Sequence, residues 1–253
     1  MTVRRFEVEN PPHIELRVSS GRLHVAGGDE GVVEVEVTGR DADRIVVEHL
    51  GDTIAIVEPH DTRILRRGSS VVIRVKCPND SDLSVAAASL DIDVSQQLNR
   101  VMIRTASGDA RLHEVGSLEF KSASGDVDVR ECAGDTQINS ASGDVRIERA
   151  GGEVQASLAS GDLWVGTLEG TAEVRTASGD VRVDRCLGNS IAISSMSGDL
   201  VVGIPGGQRV EAEISTLSGD LSMPERAPVS QEPKKTVRLR LKTVSGDIRV
   251  NRL

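Results

Sequence analysis

The residues best placed to do chemistry are the aspartates of a recurring Ser-Gly-Asp tripeptide. Complete copies begin at Ser107, Ser124, Ser142, Ser160, Ser178, Ser197, Ser218 and Ser245, in steps of 17, 18, 18, 18, 19, 21 and 27 residues. If successive copies stack at the spacing of neighbouring strands, their carboxylates form a row about 4.8 Å apart. Carboxylates at that distance repel by about 0.9 kcal/mol even in bulk water, so such a row needs compensation.

Three kinds of interaction could offset the repulsion between these carboxylates. Glycine supplies the backbone angles of a tight turn, while Ser and Asp side chains hydrogen-bond nearby backbone groups, and we favour this turn role. Cations flanking the row are the second: Arg111, Arg146, Arg182 and Arg249 follow the aspartate by two positions, and Arg104, Lys121, Arg175 and Lys242 precede it by five. Calcium between turns is the third, although the Gly-Gly-x-Gly-x-Asp spacing of known calcium repeats is missing.

The candidate metal ligands under the calcium alternative are Asp109, Asp126, Asp144, Asp162, Asp180 and Asp199. Because few carboxylates are supplied per turn, we expect neither a metal nor a cofactor. The five histidines stand outside any Ser, Cys or metal-ligand pattern, and no catalytic residue is assigned.

The elements that position these aspartates show a period of two. Apolar or small residues lie eight, six and four positions before each aspartate and one and three positions after it. Around Asp180 they are Ala172, Val174, Thr176, Val181 and Val183. This alternation predicts one strand on each side of every turn. Degenerate copies at Ser20-Gly21-Arg22 and Ser89-Leu90-Asp91 extend the pattern towards the N-terminus.

Two folds fit these strands: an antiparallel meander, and a solenoid in which each repeat is one coil. A meander leaves a large apolar face uncovered, whereas coiling encloses it and explains the nearly constant step. We therefore predict an all-β, single-stranded β-solenoid (β-helix) with coils of roughly 18 residues. Residues 1–253 form one continuous domain, with an irregular, wider N-terminal section at 1–82, regular coils at 83–253 and a surface loop at 224–235.

Composition limits the partners and the location. The net charge of -9 disfavours nucleic acid and anionic membranes as partners. No apolar run approaches the ~20 residues that span a bilayer, and the first residues are charged, so we expect a cytoplasmic protein without membrane insertion. Cys77, Cys132 and Cys186 lack metal-ligand spacing and are expected to be buried apolar residues. Cys132 and Cys186 lie three repeats apart, about 14 Å, too far for a disulfide.

The departures from repetition are the predicted partner contacts. Trp164, the sole tryptophan, occupies an outward position that is arginine in several repeats. Residues 234–253 carry seven cations and one acid, whereas residues 1–60 carry six cations and twelve acids. The candidates are Trp164, Lys234, Lys235, Arg238, Arg240, Arg249 and Arg252. The cations either protect a terminal strand edge from aggregation, or let a basic last coil meet the acidic first coil of another copy.

The blocks Thr105-Ala106-Ser107-Gly108-Asp109 and Thr176-Ala177-Ser178-Gly179-Asp180-Val181 resemble the bacterial putative-adhesin family of unknown function. The resemblance covers nearly the whole chain. It implies a β-solenoid of stacked Ser-Gly-Asp turns, and its members are often attached to membrane segments or to envelope-stress systems. It implies no catalytic residues.

These observations favour a non-catalytic structural or interaction scaffold that presents a repetitive β surface to a protein partner or to itself, end to end. The alternative is an envelope-associated, adhesin-like or stress-related binder of a glycan or a cation. A carbohydrate-active enzyme is the third and least favoured alternative, because glycoside chemistry needs a single pair of carboxylates in a cleft. Here the acids recur in rows.

Overall fold

The computed structural model describes residues 2–59, 71–223 and 235–253. The chain divides into two compact units, Met1–Asp128 (unit 1) and Val129–Leu253 (unit 2). Apart from Lys235, the predicted surface loop at 224–235 lies outside the described residues.

Unit 1 is built from eight described strands and one short 3-10 turn, Ala42–Arg44. The strands are β1 (Thr2–Glu7), β2 (His13–Gly27), β3 (Val32–Gly39), β4 (Val46–Leu50), β5 (Thr53–Val57), β6 (Val71–Cys77), β7 (Asp82–Ser107) and β8 (Ala110–Ser124). The next strand, β9 (Val127–Cys132), contains the boundary between the units.

Unit 2 continues with shorter strands, two to a repeat. They are β10 (Thr136–Ser142), β11 (Val145–Ala150), β12 (Val154–Ser160), β13 (Leu163–Leu168), β14 (Thr171–Ser178), β15 (Val181–Cys186), β16 (Ser190–Ser197), β17 (Leu200–Ile204), β18 (Gln208–Ser218), β19 (Leu221–Ser222), β20 (Lys235–Ser245) and β21 (Ile248–Arg252).

Parallel pairing in unit 2 stacks equivalent residues of successive repeats. Strand β14 pairs in parallel with β12 and β16, and β15 pairs in parallel with β13 and β17. Val174, for example, lies between Ala156 and Ile193. Each repeat is therefore one coil with a Ser-Gly-Asp turn between its two strands, and the predicted all-β solenoid is confirmed. A meander would have paired neighbouring strands antiparallel.

The core follows the predicted alternation. The inward residues of β15, Val181 and Val183, are buried, while Arg182 between them is exposed. Aliphatic side chains fill nearly all of the interior, and the largest fully buried side chain is Phe120. Stacking like on like removes the inward rows of the interior coils from water, which is the main stabilising contribution in a thin coil.

Unit 1 combines parallel coils with antiparallel strands. The degenerate copies stack in register, because β2 pairs in parallel with β7 and places Gly21 beside Leu90 and Arg22 beside Asp91, although both strands run through these positions without a break. Strands β1 and β3 pair antiparallel, as do β3 and β6, and β4 and β5. The predicted irregularity of the first 82 residues thus corresponds to antiparallel strands added to the coils.

The coils at the end of unit 2 are stacked out of chain order. Strand β20 pairs with β16 on one side and with β18 on the other, and β21 likewise pairs with β17 and β19. The cationic coil of β20 and β21 was expected to be the last, yet it lies one coil inside. The inward residues of the two coils are alike at most register positions, but Leu239 of β20 is larger and more apolar than its partner Ala212 of β18. Covering the more apolar coil on both sides buries more apolar surface.

Candidate interaction surface

The glycine of each repeat turn is required by the neighbouring coil. Gly161 and Gly179 have φ values of +112° and +137°, in the region that favours glycine. A Cβ atom at Gly179 would lie within 3.0 Å of the carbonyl oxygen of Gly161, and one at Gly161 equally close to that of Gly143. Backbone therefore packs against backbone along the turns, and only glycine leaves room for this contact.

The aspartates of the turns hold successive coils together. In unit 2, Oδ1 of five turn aspartates accepts a hydrogen bond from the backbone N–H of the aspartate in the adjacent coil, at 2.7–2.9 Å. The acceptor and donor pairs are Asp144 and Asp162, Asp162 and Asp180, Asp180 and Asp199, Asp199 and Asp247, and Asp247 and Asp220. In unit 1 the same bonds join Asp91 to Asp109 at 3.4 Å and Asp109 to Asp126 at 3.1 Å. Hydrogen bonds to a carboxylate stabilise its charged form, which compensates the mutual repulsion.

This geometry bears on the calcium alternative. Oδ1 of each of these carboxylates already accepts a backbone N–H, so fewer oxygens are available than the six to eight that calcium takes. In the part of the chain that the structure describes, no three or more His, Cys, Asp or Glu side chains are grouped so that they could hold a metal ion. The six aspartates remain a predicted metal site only under that alternative.

Buried hydroxyl groups lie beneath the turns and were missed in the sequence. Thr105, Ser140 and Thr243 point inward four positions before the aspartate and donate hydrogen bonds to the carbonyl oxygens of Ser107, Ser142 and Ser245. Each bond fixes the chain as it enters the turn. The recurrence of Ser or Thr four positions before most of the turn aspartates, where the other inward positions are mainly apolar, is the signal that could have revealed them.

One outward row of unit 2 brings three arginines and the tryptophan into register. Pairing of β11, β13, β15, β17 and β21 aligns Arg146, Trp164, Arg182, Val201 and Arg249 in consecutive coils. We call these five residues the arginine row. Adjacent members are about 4.8 Å apart, the spacing of neighbouring strands.

Trp164 is engaged by its neighbours in this row. The guanidinium carbon of Arg146 lies 3.9 Å from the centroid of the indole ring, in a cation–π contact. The indole Nε1 donates a hydrogen bond to Oδ2 of Asp184 at 3.0 Å, and Arg182 Nε donates to Oδ1 of the same carboxylate at 2.5 Å. Gly166 leaves room for the ring, since a Cβ there would lie 3.0 Å from it. The ring is thus fixed in a half-buried position, and its predicted role as a partner contact stays a prediction.

The predicted cations of the last coil form ion pairs with the coil that covers it. Arg238 lies 3.9 Å from Glu211, and Arg240 and Lys242 lie 3.1 Å and 3.0 Å from Glu213. Hydrogen bonds from Lys242 and Arg240 lower the pKa of Glu213. The two glutamates were missed in the sequence. They lie nine and seven residues before Asp220, just as Arg238 and Arg240 lie nine and seven residues before Asp247.

The other predicted contacts are spread over two strands. Arg249 belongs to the arginine row and pairs with Asp247 at 2.8 Å. Arg252 donates to the carbonyl of Gln208 at 3.0 Å, and Lys235 donates to the carbonyl of Leu187. Lys234 lies outside the described residues. The structure therefore brings Trp164 and Arg249 into one row and separates them from Arg238 and Arg240.

The cysteines are buried, as predicted, and none lies in a metal-ligand group within the described residues. Burial raises the pKa of the Cys77 thiol to about 11, against smaller opposite effects of hydrogen bonds with Ser81 and Gln96. Burial also raises the pKa of Cys186. Thiols held in their neutral form are poor nucleophiles and poor metal ligands.

Comparison with solved structures found similarity over nearly the full length of several bacterial proteins. A putative adhesin of Bacteroides fragilis NCTC 9343 is 15% identical, with 98% of this chain and 96% of that chain covered and a TM-score of 0.40. A putative cell adhesion protein of Clostridium sporogenes ATCC 15579 is 11% identical over 100% and 99%, with a TM-score of 0.29. A putative lipid binding protein of Parabacteroides distasonis ATCC 8503 is 14% identical over 100% and 96%, with a TM-score of 0.40.

No curated protein sequence matches the chain. Within the described residues, no helix is long and apolar enough to cross a membrane. The model of one protein family, described as Toastrack DUF4097, matches residues 12–251, which include every Ser-Gly-Asp turn described above. The chain therefore belongs to the Toastrack DUF4097 family.

Proposed function

We propose that the chain is a non-catalytic scaffold that binds a protein partner through the outward side of its coils. The structural role of the turn aspartates supports this proposal. The turn aspartates bind backbone N–H groups of adjacent coils, and the same arrangement recurs from coil to coil. Glycoside chemistry instead needs one pair of carboxylates with distinct environments. A solenoid presents side chains at fixed spacing, which suits recognition.

The arginine row is the observation that carries the proposal. It places Arg146, Arg182 and Arg249 on one side of unit 2 in a chain with a net charge of -9. The planar guanidinium group binds carboxylates through two parallel hydrogen bonds. Arg182 and Arg249 already pair with Asp184 and Asp247, but exposed ion pairs contribute only about 0–1 kcal/mol, so partner carboxylates can replace them. The expected partner is a protein with an acidic surface.

A cytoplasmic location and the absence of nucleic-acid binding belong to the same proposal. The net charge supports the second point, because a polyanion is repelled by a chain of the same sign. Fractionation of the native cell with an antibody against the chain tests the first, and recovery of the chain in the membrane or extracellular fraction would contradict it.

The test reverses charge in the arginine row. Immobilised full-length chain is used to capture proteins from an extract of the native cell, with R182E/R249E compared with wild type. We expect at least tenfold less of the captured partner with the double variant. The control R100E/R175E makes the same change of charge at exposed arginines of β7 and β14. Equal capture by all three chains, or no specific capture by any of them, would contradict the proposal.

A further inference from the structure

Among the described residues, unit 2 ends in an open strand edge. Strand β18, eleven residues long, forms a ladder with β20, and no other described strand is paired with its opposite side. An edge of this length presents a series of unpaired N–H and C=O groups. Such groups bind another strand.

The apolar row behind this edge is left uncovered. Val237, Leu241 and Ile248 of the preceding coil are 0% exposed. Their counterparts at the end of unit 2 are different: Val210 and Ile214 are half-buried, and Leu221 is 51% exposed. In the described part of the chain, the core of unit 2 therefore ends without a covering layer, and these side chains lose the stabilisation that full burial would give.

An exposed apolar row lies beside the same edge. Met196, Val244 and Leu217 occupy equivalent positions in three stacked coils and are 65%, 50% and 84% exposed. Alanine fills this position in earlier coils of unit 2, at Ala141, Ala159 and Ala177. Large apolar side chains thus replace small ones only where the stack ends, as is typical of a protein interface.

The charges on β18 are complementary to those of the same strand turned through 180°. Arg209 has no ion-pair partner among the described residues, whereas Glu213 lies on the same outward face. In an antiparallel pair centred on Glu211, Arg209 of each copy lies opposite Glu213 of the other. Val210 then lies opposite Ala212 on the inward side. Two ion pairs and an apolar contact therefore form from one strand. Glu211 meets its own copy on the axis, and Arg238, 3.9 Å from Glu211 in each copy, offsets the repulsion between the two carboxylates.

Two other occupants fit less well. A membrane is disfavoured because open strand edges are not tolerated in hydrocarbon. A head-to-tail copy is disfavoured because β1 and β4, the strands of unit 1 that the described residues pair on one side only, have six and five residues against the eleven of β18. They therefore offer β18 fewer backbone partners than a second β18 does.

We propose that β18 pairs antiparallel with β18 of a second copy, forming a two-fold symmetric dimer in which the uncovered rows cover each other. Such an interface is closed, so it gives dimers and no filaments. The inference goes beyond the proposed function, which a monomer can perform. The arginine row lies on other strands, so R182E/R249E must leave dimerisation unchanged.

Charge exchange tests the dimer. The mass of the full chain, 26.9 kDa as a monomer, is measured by analytical ultracentrifugation over a range of concentrations. We expect wild type to dimerise and R209E and E213R each to weaken dimerisation at least tenfold, because like charges then meet twice. An equimolar mixture of R209E and E213R restores both ion pairs and must regain the dimer. R175E is the charge control, and circular dichroism checks that every variant is folded.

The register has a separate test. Glu211 lies on the two-fold axis, so E211C must form an intermolecular disulfide with itself under mild oxidation, while Q155C on β12 must not. A monomeric wild type at high micromolar concentration, equal dimerisation of wild type and R209E, or failure of the mixture to regain the dimer would each overturn the inference. Dimers of wild type that capture no specific partner, or that capture it equally well as R182E/R249E, would instead count against the proposed function alone.

Discussion

At the scale of single residues, the turn glycines have the largest expected effect on stability. Gly179→Ala places a Cβ within 3.0 Å of the Gly161 carbonyl and puts alanine at a φ of +137°. Strain and overlap together should lower the free energy of unfolding by roughly 3 kcal/mol. Urea denaturation followed by circular dichroism measures the change.

Gly51→Ala is the matched control for this prediction. Gly51 also has a positive φ, +61°, but a Cβ there meets nothing within 4 Å. Gly51→Ala should therefore lower the free energy of unfolding by only about 1 kcal/mol, from the backbone angle alone. Similar losses for both variants would show that packing between coils contributes little.

The buried thiol of Cys77 gives a prediction about pH. Its pKa in the folded chain, about 11, lies above the ordinary value of 9.0, so the folded state favours the neutral thiol. The corresponding stability is complete below pH 9 and is lost as the pH rises towards 11. Between pH 8 and pH 10, wild type should lose about 1.3 kcal/mol more of its unfolding free energy than Cys77→Ala. Parallel curves for the two chains in urea titrations would contradict this.

The turn role of the aspartates could be predicted from the sequence, but their partners could not. The local pattern shows that Gly and Asp form a turn, whereas the bond from Asp199 N–H to Asp180 depends on how coils stack. Trp164 is similar. Its outward position followed from alternation, yet its contacts with Arg146 and Asp184 come from two different coils.

At the scale of elements, the order of the last coils has a direct test. Ser194 and Lys242 are register partners on β16 and β20, and Lys242 is in turn the partner of Ser215 on β18. Neighbouring strands are about 4.8 Å apart, which permits a disulfide, and strands two layers apart are not close enough. Oxidation should therefore cross-link S194C/K242C and leave S194C/S215C reduced.

The mass of tryptic fragments, with and without reductant, identifies the cross-link. Coils stacked in chain order would give the opposite result, with S194C/S215C linked. The buried native cysteines are present in both variants and serve as an internal control.

The strands themselves were predictable, because alternation is a local property of the chain. The antiparallel strands of unit 1 and the exchange of the last two coils were not, since alternation in β1 or β18 does not specify a neighbour. The inward residues of β18 and β20 follow the same alternation. Only the difference in apolar content between the two strands favours placing β20 inside and β18 at the end. The solenoid was thus predicted correctly, but its end was not.

At the scale of the whole molecule, the excess of acids predicts how the chain behaves towards polyanions. With a net charge of -9 and a pI of about 5.1, the chain should not bind duplex DNA at physiological salt, despite the local arginine row. Fluorescence anisotropy of a labelled duplex should stay constant up to high micromolar protein. Salt-sensitive binding would contradict the prediction and would indicate that the arginine row binds phosphate groups.

The aspartate bonds have a consequence for how such a chain can change its length in evolution. Each carboxylate serves the backbone of the adjacent coil, and each coil offers the same N–H group in return. A duplicated repeat therefore brings both the carboxylate acceptor and the backbone N–H donor that its two neighbouring coils require, wherever in the stack it is inserted. Growth or shortening by whole repeats keeps every turn satisfied, whereas the gain or loss of a few residues within a strand moves its inward side chains to the surface.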